Sequence, residues 1–385
     1  MDSNAVPSFR ITKKWRKWKI SYEDDLIEGR IVPKKRLRIA AVGGGDIGIL
    51  NADSVRTARA AELAAVCDVD SEVARDLAKR YDVPVVTDYN ELLARPDVDA
   101  VLLSIPHHLH TQMAVQAALA KKHVLLEKPL ATSPQEASKI IEACRAAGVR
   151  LTVNFSFRYR PAIALARQLI KDDTLGKISG TQINLFQLKG TKFWTGGFSG
   201  RASGDWRRSK EKAGGGVLII TICHALDYLR YCTGLEVTRA YSEYGTYASP
   251  VEVEDAIAVS YRYDNDAIGS IASSTFWHAD KRDEVIIWGT HGSLRIEENN
   301  VLRLWSSRSW KSLAPGKEHL LSDFPKVNYA SKWIDRFARA VENGVPHDIT
   351  GKDGWINNAV IEAAYRSRDD GRAFPVESFP WQESP

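Results

Sequence analysis

Leu37-Arg38-Ile39-Ala40-Ala41-Val42-Gly43-Gly44-Gly45-Asp46-Ile47-Gly48 is the stretch that decides the fold. Six residues suited to a buried strand run into a G-x-G-x-x-G, and a helical pattern follows. Gly43 permits a tight turn, Gly45 lets a pyrophosphate approach the backbone, and Gly48 lets the helix sit close to the sheet. The start of that helix offers free amides and the positive end of its dipole. A second strand over 61–67 ends in Asp68, 20 residues beyond Gly48, where an acid meets an adenosine ribose in dinucleotide folds. Gly43, Gly45, Asp46, Ile47, Gly48 and Asp68 are therefore candidates for a dinucleotide site, with the Asp46 side chain turned to solvent.

Outward from this stretch the alternation continues. Helices at 71–80, 89–94, 111–120 and 134–147 separate strands at 83–86, 98–105, 123–126 and 150–153. Strands alternating with helices predict a parallel, doubly wound sheet. In such sheets ligands bind outside the carboxyl ends of the strands. His123-Val124-Leu125-Leu126-Glu127-Lys128-Pro129-Leu130 ends one strand in a carboxylate, an amine and a proline. Lys128 is thereby delivered to the floor of a ligand crevice, and Pro129 stiffens the turn; the sequence leaves both isomers of the Lys128–Pro129 bond open. Pro106-His107-His108-Leu109-His110 ends the fourth strand. Three His in four residues have metal-like spacing, but with no acid or Cys in the turn the reading is a turn facing the cofactor, with no metal.

Bulk properties bound the rest. At 385 residues the chain is long enough for two cores, and 44% hydrophobic with 26% charged residues is ordinary for a globular protein. No apolar run is long enough to span a bilayer, and the polar, basic N-terminus predicts no secretion signal. Four scattered cysteines predict reduced thiols and a cytoplasmic protein. Residues 1–38 hold 11 Lys/Arg and 5 Asp/Glu, so the formal +5 is an N-terminal excess of +6 with a body near neutrality. That argues against nucleic acid as a partner. The division is an arm over 1–35, a Rossmann domain over 36–155 and a second domain over 156–385.

The second domain opens with a helix to residue 171. Alternating segments follow at 178–188, 238–247, 255–263, 267–275, 284–288, 293–296 and 301–306, which predict a large antiparallel sheet in an α+β domain. Helices at 329–343 and 355–367 close it. Gly214-Gly215-Gly216 opens a helix over 217–231 that carries His224 and Asp227, spaced so that Asp227 can orient His224. The preceding stretch, 189–212, reads as a loop rich in Lys and Arg, Lys189 among them, and holds Trp194 and Trp206, which suits a polyhydroxylated or anionic ligand.

With these pieces in order, the chain resembles the Gfo/Idh/MocA oxidoreductases, named for glucose–fructose oxidoreductase and inositol dehydrogenase. The likeness runs from about 37 to about 376. It rests on the glycine loop, Cys67-Asp68, Ser104-Ile105-Pro106 with His110, Glu127-Lys128-Pro129, Phe157-Arg158-Tyr159, Trp206-Arg207, the triple glycine with His224 and Asp227, and Thr350-Gly351-Lys352-Asp353-Gly354. The resemblance implies NAD-dependent hydride transfer at a secondary hydroxyl of a sugar or cyclitol, in a homodimer or homotetramer. It adds Ser104, Ile105, Pro106, His107, His110, Glu127 and Arg158 to the cofactor site. It places Lys128, Trp206, Arg207, Ile220 and His224 at the substrate, with Lys128 and His224 catalytic. The family's usual Asp four residues before the His is here Ile220, its frequent Gly two before is Ile222, and its frequent turn Asn is His107. The loss of that Asp keeps two alternatives in view: a non-catalytic dinucleotide sensor, and an NAD-dependent glycosidase or lyase.

Overall fold

The computed structural model describes residues 35–381 apart from 202, 203 and 323. The basic arm over 1–34 lies outside the described residues. The first sheet has six strands, all parallel: β1 (Leu37–Val42), β2 (Ala61–Cys67), β3 (Val85–Val86), β4 (Ala100–Leu103), β5 (His123–Leu126) and β6 (Leu151–Val153). Their order is β3-β2-β1-β4-β5-β6. The chain reverses direction across the sheet between β1 and β4, so the crevice opens at their carboxyl ends. α1 (Asp46–Thr57), α2 (Ser71–Tyr81), α3 (Tyr89–Ala94), α4 (His110–Leu119) and α5 (Pro134–Ala147) supply the crossovers. Local chemistry sets their ends. Asp70 accepts from the amides of Glu72 and Val73 to start α2, and Ser133 caps α5, with Pro134 in its first turn.

α6 (Pro161–Lys171) leads into the second sheet, nine strands in the order β14-β13-β12-β11-β7-β10-β9-β8-β15. Its strands are β7 (Ile178–Phe186), β8 (Val237–Gly245), β9 (Ala256–Tyr263), β10 (Ile268–Ser274), β11 (Arg282–Gly289), β12 (Gly292–Glu297), β13 (Val301–Ser306), β14 (Lys317–Leu321) and β15 (Phe374–Pro375). All pairings are antiparallel except β7 with β10. One face is apolar, with Ile183, Val259, Ile271, Val285 and Leu294 buried under helices. The other carries Ala258, Ser260, Ser270, Ile286 and Arg295, partly or fully exposed.

Four features differ from the sequence reading. The stretch 189–212 is not all loop: it holds α7 (Thr191–Gly196) and α8 (Lys210–Ala213). The helix expected over 217–231 is broken into a π-helical turn, Leu218–Ile222, and α9 (Cys223–Thr233). β14 is a polar edge strand and β15 has two residues, so neither carried a readable alternation. The closing helices, α10 (Tyr329–Asn343) and α11 (Gly351–Asp370), do not belong to the second domain alone. Trp333, Ile334 and Phe337 of α10 are buried in the core of the first sheet, each side chain contributing about 1.5–3 kcal/mol. α11 buries Trp355 and Ala359 in that core and Val360, Ile361 and Ala364 in the core of the second sheet. The helix thus ties the two halves together. Among the described residues, no helix is long and apolar enough to cross a membrane.

Candidate active site

The glycine loop closes at β1. Gly43 has φ +93°, and its N–H donates to Cys67 O at 2.8 Å. A Cβ at Gly48 would lie 1.8 Å from Gly43 O, and one at Gly43 would lie 2.3 Å from Ser104 O. Only glycine lets α1 start this close to the strand ends. Asp68, at the end of β2, accepts from Gly44 N at 2.6 Å and from Asp70 N at 2.9 Å, so its carboxylate is held toward the loop. Gly45 stands before the first turn of α1, and Ile47 is 37% exposed there.

Asp46 does not face solvent alone, as the sequence suggested. It accepts from the Ser199 N–H at 3.0 Å and from the Ser199 hydroxyl. Burial raises its carboxyl, but these bonds and the nearby Arg207 outweigh that and hold it below the usual range. Arg201 donates to Gly44 O at 2.9 Å and pairs with Asp76 at 2.5 Å. A segment of the second domain is thus laid across the dinucleotide loop. Nothing in the spacing of Ser199 or Arg201 signals this, because the contact spans more than 150 residues of sequence.

The ends of β4 and β5 are locked by buried polar groups. Glu127 accepts from Asn51 at 2.8 Å and Asn154 at 2.6 Å, and Asn51 also donates to Ser104 at 2.9 Å. Glu127 therefore joins α1, β5 and the end of β6. The His110 ring nitrogens lie 2.9 Å from Pro129 O and 3.1 Å from Ile105 O, and burial drops its pKa to about 4. Neutral at pH 7, this ring has one N–H to donate to one of the two carbonyls, and it packs between β4 and the Lys128–Pro129 turn, whose peptide is cis. His107, after Pro106, donates from Nδ1 to Ala213 O at 2.8 Å and packs against Trp206 with ring centroids 4.5 Å apart and planes tilted by 55°. Burial first, then His110, keeps it well below the usual imidazole range.

Across the cleft stands the π turn. Lys128 donates from Nζ to Ile220 O at 2.6 Å, and Lys189, just beyond β7, donates from Nζ to Thr221 Oγ1 at 2.6 Å. Ile220 itself is buried. His224 stacks on Phe157, ring centroids 4.2 Å apart and planes within 13°, and its Nδ1 is buried with no partner among the described residues. Burial, then Lys128 and Arg160, push its pKa well below the ordinary value. Arg207 lies over Trp206 at 4.5 Å.

Two expectations are corrected here. Asp227 does not orient His224: both its oxygens take Arg158, at 2.8 and 2.5 Å, because a planar guanidinium matches a carboxylate. Arg158, expected at the cofactor, is 4% exposed and also bonds Asp353 at 2.7 Å and Asp348 O at 3.1 Å. Arg230 completes this ion network on Asp353 at 2.7 Å. Its effect is to fix α9 and the start of α11.

Residues 37–155 match the family profile described as "Oxidoreductase family, NAD-binding Rossmann fold", and residues 163–295 match the "GFO/IDH/MocA C-terminal domain". The chain belongs to the Gfo/Idh/MocA oxidoreductase family. It is 26% identical to a myo-inositol 2-dehydrogenase of Thermotoga maritima, over 89% of this chain and 99% of that one. It is 26% identical to a levoglucosan dehydrogenase of Pseudarthrobacter phenanthrenivorans, over 78% and 86%. A solved levoglucosan dehydrogenase in complex with NADH and levoglucosan superposes with a TM-score of 0.79 at 23% identity, over 89% and 100%.

As a Gfo/Idh/MocA protein the chain has an NAD-binding Rossmann domain, and its own geometry fits that cofactor: the forced glycines at 43 and 48, the α1 amides and Asp68 form one continuous edge. Ser104, Ile105, Pro106 and Lys128 border the same crevice from β4 and β5. At position 220, where the resemblance led us to expect an acid, stands Ile220, whose side chain adds no charge. Lys189 is the polar group that sequence reading named only as one of several basic residues. The signal that singles it out is its place directly after the long alternating segment that became β7.

Proposed function

We propose that the chain transfers a hydride between NAD and a secondary hydroxyl carbon of a sugar, sugar derivative or cyclitol. Membership in an oxidoreductase family that includes inositol and levoglucosan dehydrogenases supports this. The observation that carries the reading is Lys128: its ammonium stands at the end of β5, beside the glycine crevice, held by one carbonyl. When bound, nicotinamide supplies the hydride acceptor or donor. Lys128 hydrogen-bonds the reacting oxygen and stabilises its charge. His224 works as a neutral imidazole. With Nδ1 sealed, Nε2 is the atom that exchanges the proton. Glu127 and His110 keep the Lys128 turn in place and take no part in the chemistry.

Asp68 supports NAD over NADP. It accepts from a ribose 2′-hydroxyl and repels a 2′-phosphate, and residues 69–74 hold no Lys or Arg to offset it. The partly exposed outer face of the nine-stranded sheet supports a homodimer or homotetramer built on that face. Four free, buried thiols support a reducing, cytoplasmic setting. The test is NADH formation during a screen of sugars and cyclitols. Tight NAD binding with no turnover on any of them would replace this reading by a dinucleotide sensor, which Ile220 favours. Release of a free sugar without net NADH change would point to an NAD-dependent glycosidase or lyase.

A further inference from the structure

Lys128 and Lys189 are tied to consecutive residues of one π turn, the first to Ile220 O and the second to Thr221 Oγ1, each at 2.6 Å. The two amines therefore approach the same wall of the cleft from opposite domains. Each has three N–H donors, and each has one hydrogen-bond acceptor among the described residues. Neither is within ion-pair distance of a described carboxylate. The Lys189 amine also lies 4.3 Å from the centre of the Phe193 ring, which covers one side of it.

Three charged side chains act on Lys189. Lys128 stands at the end of β5, Arg207 in the stretch before α8, and Lys281 before β11; all three are cations. Lys281 has its own acids, Glu298 at 2.6 Å and Asp283 at 3.6 Å. On the other side is Cys223, whose thiol burial pushes up to about 11, so it carries no charge at neutral pH. Burial first, and then these cations, lower the Lys189 amine to about 7. A half-buried cation set among other cations and an aromatic face, with a single hydroxyl acceptor and no carboxylate beside it, is an incomplete arrangement, because withdrawing a charge from water without a counter-charge is costly.

Resting on the hydroxyl-oxidoreductase reading above, we propose that the substrate is anionic: a sugar or cyclitol carrying a carboxylate, whose charge pairs with Lys189 while Lys128 holds the reacting oxygen. Lys189 is thus a specificity-determining residue. The bound carboxylate restores the charged ammonium, so binding near neutral pH takes up a proton.

The experiment gives the NAD-loaded protein D-glucuronate, D-galacturonate and D-gluconate beside D-glucose, D-galactose and myo-inositol, with glucose 6-phosphate as a separate arm. NADH formation and calorimetric binding are both read. The acids should exceed their neutral parents in kcat/KM by about tenfold or more, the scale of one desolvated ion pair. Lys189→Met should collapse that ratio and Lys189→Arg should keep it. Calorimetry in two buffers of different ionisation heat should show proton uptake near pH 7 in the parent and none in Lys189→Arg. Neutral parents used equally well, or a ratio untouched by Lys189→Met, would overturn the proposal. A clear preference for the phosphate would overturn the carboxylate assignment. Acid binding that Lys189→Met abolishes, with no NADH formed from any compound, would uphold the anion site and overturn the hydroxyl-oxidation reading instead.

Discussion

Gly48→Ala tests the dinucleotide site at its tightest contact. The added Cβ would lie 1.8 Å from Gly43 O, against an ordinary contact of at least 3.4 Å. Gly43 has no room to retreat, since its N–H is bonded to Cys67 O and the next amide to Asp68. The start of α1 must therefore withdraw by roughly 1.6 Å, as in other overpacked sites. Overpacking of this kind costs about 1–3 kcal/mol of stability. The same displacement takes the first α1 amides out of reach of a pyrophosphate. Losing about two hydrogen bonds to a charged group at ~1.5 kcal/mol each weakens NAD by ~10²-fold. Calorimetric titration with NAD and a thermal melt measure the two effects separately. Gly190→Ala is the control, since a Cβ there meets nothing within 4 Å. If Gly48→Ala binds NAD within about threefold of the parent and melts at the same temperature, the site is not where it is placed here.

Four further outcomes are expected. Lys128→Met should lower kcat by about 10² to 10⁴ while NAD titration changes little, and unimpaired turnover would remove Lys128 from the chemistry. Asp68→Ala should narrow the preference between NAD and NADP, read by titrating both; clearly tighter NADP binding in the parent would sink the assignment. Arg158→Met leaves Asp227 enclosed without its donor, where burial has already pushed its carboxyl up to about 6; urea unfolding should show a loss of about 3–5 kcal/mol, and a loss under about 1 would refute the network's role. His110 has a folded pKa of about 4 against 6.5 when exposed. The unfolded chain therefore binds the proton first, and stability falls as pH drops from 6.5 to 4, by about 3 kcal/mol. His110→Asn should make the fall in urea-unfolding stability over that window shallower, His107 and His224 keeping their own share of it.

The sequence alone determined the parts whose signals are local. A strand, three spaced glycines and a following helix leave one economical backbone path, so the Rossmann half and its crevice were legible from 37–48 onward. Alternation over six to nine residues likewise marked the long strands of the second sheet, because only the inward face there is buried. The Lys128 turn was legible for the same reason: it ends a short apolar strand in an amine and a proline.

What only the tertiary structure decided depends on partners far apart in the chain. Helical spacing put Asp227 near His224, yet a guanidinium from residue 158 takes both carboxylate oxygens. Asp46 looked like a solvated acid until Ser199 was folded onto it. The π turn at Leu218–Ile222 redirects one carbonyl and one hydroxyl toward two lysines, and no periodicity in an all-apolar run announces such a turn. α10 and α11 carry ordinary amphipathic patterns, which state that a face is buried but not against which sheet. Period and composition fix which side of an element is dry. Which partner dries it, and which charge meets which, is settled only when segments distant in the chain compete for the same space.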